Sequence, residues 1–148
     1  MEEIAMSPLS EDLIIAWMQL NAMMEKRTLV HGLSFNEALV CNLLDRGCTT
    51  ASTLCARTKI LKSQMNTILR SLEKKGIICR TPSLTDRRKV ELRFLEDGYA
   101  LYSRSHQHTL AILDQLINTV GEEDIRTIIP ILSRAAEQFD KLSTEVSP

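Results

Sequence analysis

The residues with the clearest chemical use in this sequence are cations that cluster in one stretch of the chain. Eleven basic residues lie between Arg57 and Arg93, against only three acidic ones, Glu73, Asp86 and Glu91. The stretch therefore carries a net charge of +8, and because the whole chain carries −1, the remainder carries −9. A basic block in an otherwise acidic chain is typical of a site for a polyanion. A charge run alone usually means a solvated face, so the interpretation depends on the elements that carry these residues.

The first element that must position these cations is a helix predicted over residues 62–75. Its apolar residues recur at helical spacing and form one narrow stripe, namely Met65, Ile68, Leu69 and Leu72. The other face carries polar side chains, namely Ser63, Gln64, Asn66, Thr67, Arg70 and Lys74. A helix fits the major groove of B-DNA, where side chains of this kind reach base edges. Every surface helix has a polar face, so this pattern needs support from its surroundings.

The second element is a hairpin that follows Gly76. The apolar period changes there from 3.6 to 2, with a strand predicted over 77–81 and a turn over 82–86. Val90, Leu92 and Phe94 then alternate with charged residues in a second strand. The tip carries Arg87-Arg88-Lys89, and arginine suits the negative potential of a DNA minor groove. The order helix, short turn, helix and basic hairpin predicts a winged helix-turn-helix.

Three further helices are predicted before the helix over residues 62–75. The first spans about residues 10–30 and ends at Gly32, with one apolar face made of Leu13, Trp17, Leu20 and Met24. Ser34 and Glu37 form a capping box that opens the second, in which Ala38, Cys41, Leu44 and also Leu43 point inward. Thr50 caps a short third helix that ends near Thr58.

The chain after the hairpin is predicted to be helical. One helix spans about 95–120 and another begins at Gly121, where three acidic residues suit a helix N-terminus. Pro130 should kink or split this last helix. Two long apolar helices at the C-terminus and one at the N-terminus exceed what a 148-residue monomer needs, so a bundle with a second copy is expected.

Three pieces of the sequence resemble the multiple-antibiotic-resistance regulator (MarR) family. They are Leu69-Arg70-Ser71-Leu72-Glu73-Lys74-Lys75-Gly76-Ile77-Ile78, Asp86-Arg87-Arg88-Lys89-Val90-Glu91-Leu92 and Glu96-Asp97-Gly98. The resemblance implies a mainly α fold with a small β-hairpin (α+β) in a single domain over 1–148. A winged helix-turn-helix lobe would span 33–94, and 8–32 with 95–145 would form the helical dimerisation region. The function implied is a ligand-responsive transcription repressor that binds a pseudo-palindromic operator as a homodimer.

The resemblance also assigns roles to individual residues. The expected contacts to double-stranded DNA are Lys62, Ser63, Gln64, Asn66, Thr67, Arg70, Asp86, Arg87, Arg88 and Lys89. Ser63, Gln64 and Thr67 match the recognition helix, while Asp86 would orient Arg88 in the minor groove. A bidentate bond from Asp86 to the guanidinium has a physical logic, since it would order the side chain before binding, although a surface ion pair alone is worth little. Two departures, Leu61 and Leu95, remove the caps that the family usually has at the starts of two helices.

A small-molecule effector is a further implication of the resemblance. Trp17, Met18, His31 and Phe35 lie where an effector pocket between the dimer helices and the winged helix is expected. Plain core packing is the alternative for each of them.

Other kinds of chemistry have weaker support. A winged helix that binds protein is the serious alternative, but it needs no basic hairpin. A thiol-based redox sensor is another alternative, although the first helix has no cysteine, Cys41 and Cys55 fit core positions, and Cys48 after Gly47 should be the most accessible. His106 and His108 have the wrong spacing for metal ligands on one helix, so no metal is expected.

The sequence also lacks the usual marks of an enzyme or a membrane protein. It has no glycine-rich phosphate loop and no recognisable nucleophile or zinc motif, so neither catalysis nor a cofactor is expected. The composition, 44% hydrophobic and 25% charged, is that of an ordinary globular domain. With an acidic N-terminus and no apolar run of membrane-spanning length, a cytoplasmic protein is expected.

Overall fold

The computed structural model describes residues 7–27 and 32–145, which form a mainly helical fold with one small sheet. The elements are α1 (Pro8–Arg27), α2 (Phe35–Asp45), α3 (Ala51–Thr58), α4 (Lys62–Lys74), β1 (Ile78–Pro82), β2 (Val90–Phe94), α5 (Glu96–Val120) and α6 (Glu122–Glu145). The two strands pair antiparallel, from Ile78 opposite Phe94 to Pro82 opposite Val90. The predicted fold class, helical with a β-hairpin between the fourth and fifth helices, is confirmed.

Local hydrogen bonds explain where several helices begin. The Ser34 hydroxyl accepts from the Glu37 backbone N–H at 3.2 Å, and the Glu37 carboxylate accepts from the Ser34 N–H at 2.8 Å, which completes the predicted capping box of α2. Thr50 caps α3 by accepting from the Thr53 N–H at 3.2 Å. By contrast, α4 and α5 begin after Leu61 and Leu95 without a side-chain cap, as the two departures from the family pattern predict.

The hydrophobic core lies between α2, α3, α4, the hairpin and the first half of α5. All four residues of the predicted α4 stripe are buried, and they pack in one cluster with Val40, Cys41 and Leu44 of α2, Leu54 of α3 and Leu92 of β2. The Leu92 N–H donates to the Thr49 carbonyl at 2.7 Å, which ties the hairpin to the loop before α3. The apolar stripe therefore fixes which face of α4 is left for solvent.

Gly98 allows α5 to lie against the backbone that joins α4 to β1. A Cβ atom at this position would lie 2.2 Å from the Ile77 carbonyl oxygen and 2.4 Å from the Ile77 Cα. The Leu95 N–H donates to that same carbonyl at 2.9 Å. The glycine of the Glu96-Asp97-Gly98 piece is thus required by a close approach between two backbones.

Several details differ from the predictions. The first helix is described over Pro8–Arg27, and its predicted end near residue 30 lies outside the described part of the chain. The predicted split at Pro130 is wrong, because α6 runs unbroken from Glu122 to Glu145 and a single proline removes only one backbone donor. Val90 is exposed rather than inward, because it lies at the outer end of the hairpin, and Ala38 and Leu43 are only half-buried.

The long helices present much apolar surface to solvent in the single chain. On α1 the exposed side chains include Leu13, Ile14, Trp17, Met18 and Leu20; on α5, Leu110, Leu113 and Leu116; on α6, Ile128, Ile129, Leu132 and Phe139. So many exposed apolar side chains on three helices are typical of an interaction site. None of the helices in the described ranges is long and apolar enough to cross a membrane.

Candidate nucleic-acid interface

The outward face of α4 is polar and accessible at its N-terminal half. Ser63, Gln64, Thr67 and Arg70 are all exposed, as is Lys62 at the first position of the helix. The Thr67 hydroxyl donates to the Ser63 carbonyl at 3.2 Å, which leaves the hydroxyl oxygen able to accept another hydrogen bond. The structure thus brings together five of the predicted contact residues on one open helical face.

Asn66 is placed differently from the other predicted contacts of α4. It is half-buried and lines a cavity of about 220 Å³ between α3 and α4, together with Lys62, Met65 and Cys55. The Asn66 side chain is therefore only partly accessible to a partner, whereas Ser63 and Gln64 are exposed.

The hairpin tip is held by a buried serine that the sequence reasoning did not single out. Ser83 is 5% exposed, and its hydroxyl donates to the Glu91 carboxylate at 3.0 Å while accepting from the backbone N–H groups of Thr85 (3.3 Å) and Asp86 (3.4 Å). Its own N–H donates to the Lys89 carbonyl at 2.8 Å. The signal was present in the chain, since a serine ahead of Thr85 and Asp86 is typical of a side-chain-stabilised turn. The tip that carries the cations is consequently an ordered loop.

Asp86 holds Arg88 through the backbone and not through the guanidinium. Its Oδ1 atom accepts from the Arg88 N–H at 3.0 Å, and no ion pair joins the two side chains in the described part of the chain. The predicted bidentate contact is therefore not the one formed. An aspartate that accepts from the backbone two residues on is a common turn device, and it competes well with an exposed ion pair.

The remaining acids of the basic stretch neutralise cations that lie away from the tip. Glu73 accepts from Arg80 at 2.9 Å, and Glu91 lies 3.7 Å from Arg93. Within the described ranges, no acidic side chain pairs with the cations of α4's outer face or of the tip, which are Lys62, Arg70, Arg87, Arg88 and Lys89. The positive charge that stays available is thus concentrated on the two predicted DNA-contacting elements.

An ion pair between a buried carboxylate and a partly exposed lysine joins α4 to α2. Glu37 is 4% exposed, and its carboxylate lies 2.6 Å from Lys75 Nζ and accepts from the Ser71 hydroxyl at 2.5 Å. Burial by itself raises the pKa of Glu37, but hydrogen bonds from Lys75, Ser71 and the Ser34 backbone, with the charge of Lys75, outweigh that effect and leave the pKa below its usual value of 4.5. Glu37 therefore stays ionised inside the lobe.

The predicted effector residues in the described part of the chain lie apart from the cavity between α3 and α4. Trp17 and Met18 are exposed on α1, Phe35 is exposed at the first position of α2, and His31 lies outside the described residues. The cavity between α3 and α4 contains none of them. An effector pocket at these residues stays a prediction, because its other wall is expected to come from a second copy of the chain.

The four cysteines and His106 are buried or half-buried. Burial, with a smaller effect from nearby Glu37, raises the pKa of the Cys41 thiol to about 12, so it stays protonated. Cys48 is buried, not accessible as predicted, because its N–H donates to the Leu43 carbonyl and folds the residue into the core, while Cys55 and Cys79 are half-buried. The His106 ring stacks on Tyr102 with centroids 5.5 Å apart, and the described residues hold no cluster of three metal-binding side chains.

Comparison with known proteins agrees with this arrangement. The family model described as MarR family matches residues 38–90, which include most of α2, all of α3, α4 and β1, and the hairpin tip. Residues 38–90 thus match a MarR family domain. A curated relative, the HTH-type transcriptional regulator MhqR of Bacillus subtilis (strain 168), is 27% identical over 128 residues, covering 84% of this chain and 88% of that regulator.

Solved MarR-type regulators share the fold over nearly the whole chain. The transcriptional repressor CouR bound to a 23-mer DNA duplex superposes with a TM-score of 0.73 and 24% identity, covering 91% of this chain and 99% of CouR. CouR from Rhodococcus jostii RHA1 bound to p-coumaroyl-CoA superposes with a TM-score of 0.75 and 20% identity, covering 88% of this chain and 96% of that one. MhqR and CouR are both described as transcriptional regulators.

Proposed function

We propose that this chain is a homodimeric transcription repressor of the MarR family that binds a pseudo-palindromic DNA operator in the cytoplasm. The observation that carries the proposal is the pairing of an open polar face on α4 with an ordered hairpin tip whose cations have no acidic partner in the described ranges. Such an arrangement fits α4 in the major groove and Arg88 in the adjacent minor groove. The contacts proposed are those expected from the sequence, Lys62, Ser63, Gln64, Asn66, Thr67, Arg70, Asp86, Arg87, Arg88 and Lys89.

The exposed apolar faces of α1, α5 and α6 support the dimer. Two copies that bury these faces against each other would form a helical bundle from 8–32 and 95–145, with one winged helix-turn-helix lobe (33–94) on each side. Two-fold symmetry then places the two α4 helices at half-sites one turn of DNA apart. Such a dimer would repress by occupying promoter DNA.

Fluorescence anisotropy tests the DNA-binding function. The purified chain is titrated against a labelled duplex from its own upstream intergenic DNA, with random duplex as competitor, at two salt concentrations. We expect specific binding that weakens steeply as salt rises, because phosphate contacts release counterions. Arg88→Ala should weaken it by about tenfold, whereas Arg104→Ala, which removes an exposed cation from α5, should not. Equal binding to random DNA, or equal effects of the two variants, would contradict the proposal.

A small aromatic or anionic effector is the second part of the proposal. CouR, which shares the fold, has been solved with p-coumaroyl-CoA, and the predicted pocket residues here include Trp17, the only tryptophan of the chain. Binding near Trp17 should therefore change the intrinsic fluorescence. The test is a titration with aromatic acids and aromatic acyl-CoA thioesters, beginning with p-coumaroyl-CoA, and a hit must also release the duplex, since a ligand acts only through different affinities for two states.

A further inference from the structure

We propose that Glu37 and Lys75 are positioning residues for DNA binding, which hold α4 in register with the chain segment that follows α1. This inference rests on the proposed function, because the helix that they hold is the proposed recognition helix. The residues involved, Gly32, Ser34, Glu37, Ser71 and Lys75, are called the Glu37 clamp below.

The carboxylate of Glu37 accepts three hydrogen bonds, two from α4 and its C-cap and one from the N-cap of α2. Its Oε2 atom accepts from the Ser34 N–H at 2.8 Å and from Lys75 Nζ at 2.6 Å, and its Oε1 atom accepts from the Ser71 hydroxyl at 2.5 Å. Glu37 lies in the first turn of α2, whereas Ser71 is in the last turns of α4 and Lys75 caps that helix. A charge-assisted network around a buried carboxylate has a narrow geometry.

Lys75 extends the network to a third part of the chain. Its Nζ atom also donates to the Gly32 carbonyl at 2.7 Å, and Gly32 has a φ of +79°, a conformation that favours glycine. Gly32 lies five residues after Arg27, the last residue of α1. One ammonium group therefore joins the end of α4, the start of α2 and the connection that arrives from α1.

The position of the clamp indicates its effect on DNA binding. The clamp contacts α4 at its C-terminal end, away from the N-terminal half where Ser63, Gln64 and Thr67 are exposed. In a two-fold dimer built partly on α1, the angle of each α4 to α1 determines the distance between the two recognition helices. The clamp should thus control which half-site spacing the dimer accepts, while the phosphate contacts at the hairpin tip remain intact.

The test compares variants on operators of altered spacing. The wild-type chain first selects a preferred duplex from a random pool, and versions with one base pair inserted or deleted between the half-sites are then made. Lys75→Met should reduce the wild-type preference for the selected spacing by about tenfold, which lies in the lower part of the usual range for coupling between sites. Lys75→Arg should retain most of the preference, because it keeps the charge and the donors. Lys74→Met is the matched control, since Lys74 is the exposed neighbour on the same turn.

The outcomes separate this inference from the proposed function. If the wild-type chain selects no sequence from the pool, the proposed function fails. If it does, and Lys75→Met keeps the same spacing preference as Lys74→Met, the clamp proposal is overturned. Ser71→Ala removes one donor and leaves the ion pair, so it should reduce the preference in the same direction by a smaller factor. If Lys75→Met does not fold, Ser71→Ala decides, and an unchanged preference there overturns the proposal.

Discussion

The Oδ1 atom of Asp86 accepts a hydrogen bond from the backbone N–H of Arg88 at 3.0 Å. The carboxylate therefore shapes the hairpin turn and leaves the Arg88 side chain exposed. If the Asp86 carboxylate were paired with the Arg88 guanidinium, that ion pair would have to break when Arg88 enters a minor groove. Otherwise the negative carboxylate would be brought close to the DNA phosphates. The backbone contact avoids this conflict, because it orders the loop without neutralising the cation.

This relationship predicts that Asp86 can be replaced by an uncharged acceptor. Asp86→Asn keeps the side-chain oxygen, so its DNA affinity should stay within about threefold of wild type, whereas Asp86→Ala should lose about tenfold because the turn is no longer held. Anisotropy titrations of both variants against the preferred duplex provide the measurement. Equal losses in the two variants would mean that the charge of Asp86, and not its acceptor oxygen, is what matters.

The salt dependence should report the hairpin cations directly. Arg88→Ala should lower the slope of log affinity against log salt by about one contact per protomer, hence about two per dimer. The measurement is a series of anisotropy titrations at several salt concentrations, with Arg104→Ala as the control that keeps the wild-type slope. A lower affinity with an unchanged slope would show that Arg88 does not contact phosphate or the groove beside it.

The ionised state of Glu37 predicts how stability responds to acid. Because the folded-state pKa lies below the usual 4.5, the clamp contributes its full stability above that value and loses it as pH falls through the folded-state pKa. Glu37→Gln should lower the free energy of unfolding by about 1–3 kcal/mol at neutral pH, and the gap to wild type should narrow in acid. Urea unfolding across the pH range measures this. The exposed Glu137→Gln should track wild type, and a gap that is constant with pH would contradict the assignment.

Gly98 should tolerate no side chain. A Cβ at this position would meet the Ile77 backbone at 2.2 Å, and backbone atoms cannot move aside as a flexible side chain can. Gly98→Ala should therefore cost about 1–3 kcal/mol of unfolding free energy, although alanine is the better helix former. Gln107→Ala on the exposed face of the same helix should change stability little. A Gly98→Ala variant as stable as wild type would show that α5 can move away from Ile77.

The apolar faces of the long helices predict an obligate link between assembly and DNA binding. Leu116 is 47% exposed on α5, and Leu116→Glu should place a charge in the proposed dimer interface, giving monomers by sedimentation and little affinity for the full operator. Gln115→Glu adds the same charge to the neighbouring exposed position and is the control. A Leu116→Glu chain that stays dimeric would place the interface elsewhere.

Local rules were sufficient to predict the elements and most of their faces. The apolar stripe at Met65, Ile68, Leu69 and Leu72 determined the orientation of α4, because burying that stripe leaves only one face for solvent. The Ser34–Glu37 capping box and the change of period after Gly76 likewise depend on residues close in the chain. The basic hairpin tip and the resemblance that named the family follow from the same short segments.

Tertiary structure decided two kinds of feature. One is the contact between residues that are distant in the chain, and the other is the choice between alternative hydrogen-bond partners of similar energy. The bond of Glu37 to Lys75 spans 38 residues, and no periodicity predicts it. Asp86 had both a guanidinium and a backbone N–H within two residues, and the choice between them depended on the loop that Ser83 organises. Cys48 became buried because a turn folded it inward. The sequence determines the secondary structure that each segment prefers, whereas packing decides which of its polar groups form hydrogen bonds with one another.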